Sequence, residues 1–213
     1  MEIRAYDEAY LASARNILGH AADFAIMTLN LDPDDFGKAL MVSEASKQFA
    51  AGNPRYVAGM NGCELARQIL AETGITYTDA EDVMYIDKSP EYWAGWALAH
   101  YQRHSSRRFM DILAAVPLSR IIEMYPVFHE MDVTHFTDHM NGIMRKSYPV
   151  SRLKVQRMNN SMLPEDLAEA SGIELSYILL LEEKEKDINS IAAIHLLRLS
   201  RVLHCGMEDL IEL

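Results

Sequence analysis

Apolar residues recur at helical spacing along most of this chain, and Gly, Pro and capping residues cut that pattern into short segments. In the segment from Asp7 to Leu29, apolar side chains fall mostly three or four positions apart until Asp32-Pro33 ends the pattern. A second helix is predicted over Phe36 to Ala51, because Gly52 and then Asn53-Pro54 form a stop signal. The fold class that follows from this periodicity is all-α.

The same pattern predicts the remaining helices of the first two thirds of the chain. Ser89 and Pro90 supply an N-cap and a first helical residue, and Asn61 is a second capping residue. The segment from Ile75 to Lys88 is ambiguous, because Ile75-Thr76-Tyr77-Thr78 has some β character but no partner strand. The helices predicted are Asn61 to Leu70, Ser89-Pro90 onward, Phe109 to Ala115, Leu118 to Tyr125, and His129 to Arg145.

The helical pattern breaks at Tyr148-Pro149, where the balance of charge also changes. A proline beside a composition shift is typical of a domain boundary. A chain of 213 residues is long enough for two small domains. We therefore predict an all-helical domain of unknown function over residues 1–147 and a second domain over residues 151–213.

Composition predicts a soluble cytoplasmic protein. Hydrophobic residues make up 49% of the chain, which is enough for a packed core. No apolar run approaches the roughly 20 residues that span a bilayer, and the acidic N-terminus lacks the pattern of a signal peptide. Cys63 and Cys205 lie far apart, as expected of two buried thiols in a reducing compartment.

The charge of the chain is unevenly distributed. The net charge is -11, which on average repels nucleic acid. Between His139 and Pro164, however, there is no acidic residue, and five basic residues fall there: Arg145, Lys146, Arg152, Lys154 and Arg157. Such a segment is either a solvated linker and helix face or a surface for phosphates.

The last 63 residues read as five short helices. Gly172, in the turn Ser171-Gly172-Ile173, can supply the positive φ that a tight turn between two helices requires. The helices predicted are Arg152 to Asn159, Pro164 to Ala170, Leu175 to Glu183, Asn189 or Ser190 to Leu203, and Met207 to Ile211.

The run Leu163-Pro-Glu-Asp-Leu-Ala-Glu-Ala-Ser-Gly-Ile173, followed by Ile178 and Glu182, resembles the helix-turn-helix motif of the Cro/C1-type (XRE) family. The resemblance extends over Leu196 to Leu203 and Glu208 to Ile211, which are similar to the closing helices of that five-helix domain. The whole chain also resembles bacterial proteins that join this module to an uncharacterised helical N-terminal domain.

The resemblance implies a DNA-binding transcriptional regulator, a homodimer on double-stranded DNA, whose third helix enters the major groove. The first helix would contact phosphates, and the second and third would face the bases. The residues implied are Arg152, Lys154, Arg157, Pro164, Leu175, Ser176, Leu179 and Leu180.

The sequence departs from the family pattern where bases would be read. Leu163 and Pro164 replace the usual Ser and Gln, and Glu174 is a poor N-cap for the third helix. With Ile178 and Leu181 facing the core, rotation of about 100° per residue turns Ser176, Leu179 and Leu180 outward. Residues 151–213 carry seven basic and eleven acidic side chains, or -4 in net charge.

These departures leave a second hypothesis open. The module would then be a protein-interaction domain, an antitoxin-like partner binder that no longer reads DNA. The acid-free basic segment favours DNA binding, whereas Glu174, Leu179, Leu180 and the local charge favour a protein partner.

Other candidate sites have simpler explanations. His135 and His139 share a helix face but have no third metal ligand fixed by spacing, so we expect a polar face. Trp93 and Trp96, with Tyr92 and Tyr101, fall at helical spacing typical of a core, although a platform for stacking bases is the alternative. Because no nucleophile or phosphate-loop motif occurs, we predict neither enzymatic activity nor a cofactor or metal.

Overall fold

The computed structural model describes residues 4–83 and 86–212. Those residues form helices and no strand, which confirms the all-α prediction. None of the described helices is long and apolar enough to cross a membrane. The α-helices are α1 (Leu11–Asp23), α2 (Pro33–Val42), α3 (Glu44–Ala50), α4 (Pro54–Val57), α5 (Gly62–Thr73), α6 (Pro90–Ser105), α7 (Phe109–Ala115), α8 (Leu118–Glu123), α9 (Tyr125–Phe128), α10 (Val133–Ser147), α11 (Arg152–Asn159), α12 (Pro164–Ser171), α13 (Leu175–Glu182) and α14 (Ala193–Val202).

The chain divides into two compact units, Met1–Arg145 and Lys146–Leu213, here called the N-terminal unit and the C-terminal unit. In the N-terminal unit α1 and α6 pack closely against each other. A Cβ atom on Gly95 of α6 would lie 2.4 Å from the backbone oxygen of Leu18 and 2.9 Å from the Cβ of Ala22. The absence of a side chain at Gly95 is therefore what allows the two helices to approach.

Capping residues fix several helix ends of the N-terminal unit where the sequence predicts them. Asn61 and Glu64 form a reciprocal capping box at the start of α5, which ends at Gly74 with a φ of 69°. Ser89 caps α6, and Pro90 is its first residue. One free backbone N–H in each first turn, that of Glu64 in α5 and that of Tyr92 in α6, is satisfied in this way.

Some predicted helix bounds are wrong. The helix expected over Phe36 to Ala51 is two helices, because Ser43 adopts an extended backbone and its Oγ accepts a bond from the Ser46 N–H at 3.2 Å. The helix expected from His129 begins at Val133, after Asp132, whose Oδ1 accepts a hydrogen bond from the backbone N–H of Thr134 at 2.9 Å. A local hydrogen bond, donated by a backbone N–H and accepted by a Ser or Asp side chain, competes with helix continuation at both places.

The connection between α5 and α6 is neither helix nor strand among its described residues; Met84 and Tyr85 lie outside the description. The guanidinium of Arg67 holds this connection at three points. It bonds the carboxylate of Asp79 at 3.0 Å, the carboxylate of Asp82 at 2.5 Å and the backbone oxygen of Ala80 at 2.6 Å. One side chain of α5 therefore orders a segment that has no secondary structure of its own.

The C-terminal unit packs α11 to α14 around a small aliphatic core. Short 3-10 turns at Ile188–Ser190 and Met207–Asp209 complete it, so the predicted fourth helix begins at Ala193 and the predicted fifth is a single turn. The buried apolar residues of this core are Leu153, Leu167, Ile173, Ile178, Leu181, Ile188, Leu199, Leu203 and Leu210.

Candidate nucleic-acid interface

A tight turn joins α12 to α13 in the C-terminal unit. Gly172 has a φ of 64°, and its N–H donates to the carbonyl oxygens of Ala168 and Glu169. Ile173 follows the turn, and its side chain is buried in the core of the unit. A Cβ on Gly172 would meet only Arg198 Nη1, at 3.9 Å, so the glycine is needed for its backbone conformation rather than for space.

The third helix of the unit, α13, has one buried and one exposed face. Ile178 and Leu181 are fully buried, whereas Ser176 is exposed and the side chains of Leu179 and Leu180 are 42% and 40% exposed. The predicted orientation of α13 is confirmed. Its outer face thus carries one hydroxyl and two apolar side chains, and Leu175 lies half-buried at its first turn.

Arg157 does not lie on the surface, contrary to the exposed position that the phosphate-contact prediction requires. Its side chain bonds both carboxylate oxygens of Glu182, at 2.6 and 2.8 Å, and the backbone oxygen of Met162 at 2.7 Å. Arg157 is only 7% exposed and Glu182 only 3%. The hydrogen bonds that Arg157 donates to Glu182 raise the pKa of Arg157, and this buried pair ties α11 to α13.

A pattern in the sequence could have revealed this pair. Arg157 lies four residues after Leu153, and Glu182 lies four after Ile178, so each charged residue shares a helix face with a core residue. A charge on a buried face needs a partner of opposite sign. Two such faces in one small domain therefore indicate an internal ion pair.

The two other basic residues predicted for phosphates remain nearer the surface. Lys154 is half-buried, and its Nζ donates to the carboxylate of Glu183 at 2.7 Å. Arg152 is half-buried in the first turn of α11, and its backbone N–H donates to Glu212 at 2.5 Å. The side-chain Oγ of Ser151 caps this helix by accepting from the Lys154 N–H. The structure thus leaves two of the three predicted basic residues of α11 outside the core.

Acidic groups occupy the starts of both motif helices. The Asp166 carboxylate accepts the N–H of Leu163 at 3.0 Å, ahead of Pro164 at the first position of α12. Glu174 makes no capping bond to α13 and instead accepts from the Ser176 hydroxyl at 2.6 Å. The exposed serine of α13 is therefore already hydrogen-bonded to a carboxylate.

The other sequence candidates have structural explanations. No group of three metal-ligating side chains occurs among the residues that the structure describes, and His135 and His139 are exposed. Tyr101 is fully buried, and its hydroxyl donates to Asn141 at 2.9 Å. Cys63 is buried, and burial raises the pKa of its thiol.

No protein-family model, no curated protein and no solved structure matches the chain.

Proposed function

We propose that the C-terminal unit is a Cro/C1-type helix-turn-helix domain and that the chain is a DNA-binding transcriptional regulator. The observation that carries this proposal is the α12–Gly172–α13 geometry, which leaves the outer face of α13 exposed, while Lys154 of α11 contacts Glu183 just after α13. A major groove admits one α-helix of this kind. Like many such domains, it would bind as a homodimer to two half-sites.

In this proposal, binding to DNA is mainly electrostatic. Arg152 and Lys154 supply positive charge on α11, whereas Leu179 and Leu180 supply no hydrogen bonds to bases. A good bidentate contact would contribute about 1–3 kcal/mol of base discrimination, and apolar side chains make none. Because Arg157 is paired with Glu182, few basic side chains of α11 are left to contact phosphates. Binding should therefore be weak at physiological salt and modest in sequence preference.

A salt titration of the full chain tests this proposal. Binding to the protein's own promoter duplex and to an unrelated duplex would be followed by fluorescence anisotropy between low and physiological salt. Lys154→Gln should weaken binding to both duplexes alike and lower the salt slope by about one unit. Lys38→Gln is the matched control, because Lys38 is an exposed, ion-paired lysine of the N-terminal unit. No binding at low salt, or equal slopes for wild type and Lys154→Gln, would contradict the proposal.

The exposed leucines of α13 favour a second candidate, a protein-interaction domain. Leu163, which precedes α12, is 63% exposed, and Leu179 and Leu180 of α13 are exposed as well. Buried apolar anchors supply much of the binding energy of protein interfaces. Leu179→Ala should leave electrostatic DNA binding nearly unchanged. Loss of a stable dimer or of a co-purifying protein in Leu179→Ala, with no DNA bound by wild type, would favour this second candidate.

A further inference from the structure

A cavity of about 410 Å³ lies in the N-terminal unit between α6 and the segment around α9 and the start of α10. Its volume is in the range of small-molecule sites in proteins. The residues that give it chemical character are four aromatic side chains, one imidazole and one carboxylate: Trp93, Trp96, Phe128, Phe136, His129 and Asp132. We call it the aromatic cavity.

Three of the four aromatic rings of the cavity, Trp93, Phe128 and Phe136, are held by contacts with one another. The centroids of Trp93 and Phe136 lie 5.4 Å apart in an edge-to-face arrangement, and those of Phe128 and Phe136 lie 6.0 Å apart. Phe136 is only 1% exposed, whereas Trp93, Trp96 and Phe128 are half-buried and border the opening. The buried Phe136 ring therefore packs against two of the three half-buried rings, Trp93 and Phe128.

The described lining residues of the cavity include one carboxylate, that of Asp132. Two hydrogen bonds from Thr134, at 2.9 and 2.7 Å, end on Oδ1 of Asp132. These bonds hold the pKa of the Asp132 carboxyl below its usual range, so the group is ionised at neutral pH. None of the described lining residues is Lys or Arg. The ring of His129 has its Nδ1 2.8 Å from the backbone oxygen of Tyr125.

The indole of Trp96 contacts the guanidinium of Arg15 outside the cavity. The guanidinium carbon of Arg15 lies 4.6 Å from the centroid of the Trp96 ring, but Arg15 does not line the cavity. The faces of aromatic rings attract cations, and indole does so most strongly. A site with several such rings and a carboxylate at its edge therefore favours a positively charged ligand.

We propose that the aromatic cavity binds a small quaternary ammonium compound of the choline type. A quaternary ammonium has no N–H to satisfy, so it suits a site that offers ring faces and one carboxylate rather than many acceptors. This site lies within the N-terminal unit and is independent of DNA binding.

The experiment uses the full chain and its own fluorescence. The chain contains two tryptophans, and both line the aromatic cavity, so all tryptophan emission reports on it. Choline chloride would be titrated at constant ionic strength against sodium chloride as the blank. The comparison ligand is the uncharged carbon isostere of choline, in which a tert-butyl group replaces trimethylammonium. Choline should bind about tenfold more tightly than this isostere.

Two variants separate charge from shape. Asp132→Asn keeps the acceptor that bonds Thr134 and should weaken choline binding about threefold without changing isostere binding. Phe128→Leu keeps an apolar wall but removes a ring face, and it should also weaken choline binding about threefold. Asp138→Asn, at an exposed carboxylate of α10 that does not line the cavity, should leave binding unchanged.

Several results would overturn this proposal. They are equal affinity for choline and its isostere, no change in tryptophan emission with choline, or an unaltered affinity in Asp132→Asn and Phe128→Leu. Binding only to phosphatidylcholine vesicles, or only to a peptide bearing trimethyllysine, would equally exclude a free small ligand. DNA binding in the salt titration above is a separate readout, so either proposal can fail without the other.

Discussion

The N-terminal and C-terminal units differ in what their helix packing depends on. In the N-terminal unit, α1 and α6 approach closely because Gly19, Ala22 and Gly95 carry little or no side chain at the contact. In the C-terminal unit, aliphatic side chains form the core, and the buried Arg157–Glu182 pair joins α11 to α13. The first arrangement does not tolerate added atoms, whereas the second does not tolerate the loss of one charged partner.

The largest expected effect is that of Gly95→Leu in the N-terminal unit. Because even a Cβ at this position would lie 2.4 Å from a backbone oxygen of α1, the two helices must separate. We expect a loss of more than about 3 kcal/mol in the free energy of unfolding of this unit. Thermal unfolding followed by tryptophan emission measures it, since both tryptophans lie in the N-terminal unit.

Gly142→Ala is the matched control, because a Cβ there would have no heavy atom within 4 Å. Alanine is the better helix former, so this variant should be equal to wild type or up to about 1 kcal/mol more stable. Similar melting of Gly95→Leu and Gly142→Ala would show that close approach of α1 and α6 is not what the glycine provides.

In the C-terminal unit, Arg157→Ala should cost about 3–5 kcal/mol, because it leaves the Glu182 carboxylate buried without a partner. The double variant Arg157→Met with Glu182→Leu should regain most of that loss, since no buried charge remains. Urea unfolding followed by far-UV circular dichroism measures both, with tryptophan emission as the reference for the N-terminal unit. If the double variant binds DNA as wild type does, Arg157 is not a phosphate contact; lost binding in a folded double variant would return it to that role.

The smallest expected effect is the pH dependence that His100 gives to the N-terminal unit. Burial, with help from the nearby Arg15 guanidinium, lowers the pKa of His100 to about 4 in the folded chain. Between that value and the ordinary histidine pKa near 6.5, the unfolded chain binds the extra proton, so stability falls as pH decreases through this window.

Because the ring is partly exposed, we expect a decrease in Tm of roughly 2–4 °C from this histidine between neutral pH and pH near 5. His100→Gln removes the titrating group, and its Tm should change less than that of wild type over the same range. Parallel Tm curves for the two proteins would exclude His100 as the source of the effect.

Local sequence patterns predict much of the fold because helix ends are decided locally. Asn61 with Glu64, and Ser89 with Pro90, mark helix starts within four residues of chain, and the structure places helices there. The exposed positions of Leu179 and Leu180 also follow from periodicity alone. Where two local preferences compete, as at Ser43, periodicity predicts one helix and the hydroxyl cap produces two.

Features that depend on contacts between distant segments could not be predicted from local sequence patterns. The sequence places Trp93 and Trp96 in the core, but both line a cavity together with Phe128 of α9 and Phe136 of α10, more than thirty residues later. The hydrogen-bond partner of Arg157 is likewise distant in sequence, because Glu182 lies 25 residues later. Helical spacing from Leu153 and Ile178 indicates that Arg157 and Glu182 lie on buried faces, but only tertiary packing shows that these two side chains meet.

The three bonds of the Arg67 guanidinium bear on where the length of this chain can change. Arg67 holds the segment between α5 and α6 through its bonds to Asp79, Ala80 and Asp82. The other described residues of this segment belong to no helix or strand whose hydrogen bonds an insertion would break. Lengthening a flexible loop is inexpensive, about 0.6 kcal/mol for each doubling. Insertions just before Asp79 would enlarge a loop that Arg67 still closes. The segment is thus a place where chain length can change over evolution, or by engineering, without disturbing the helices on either side.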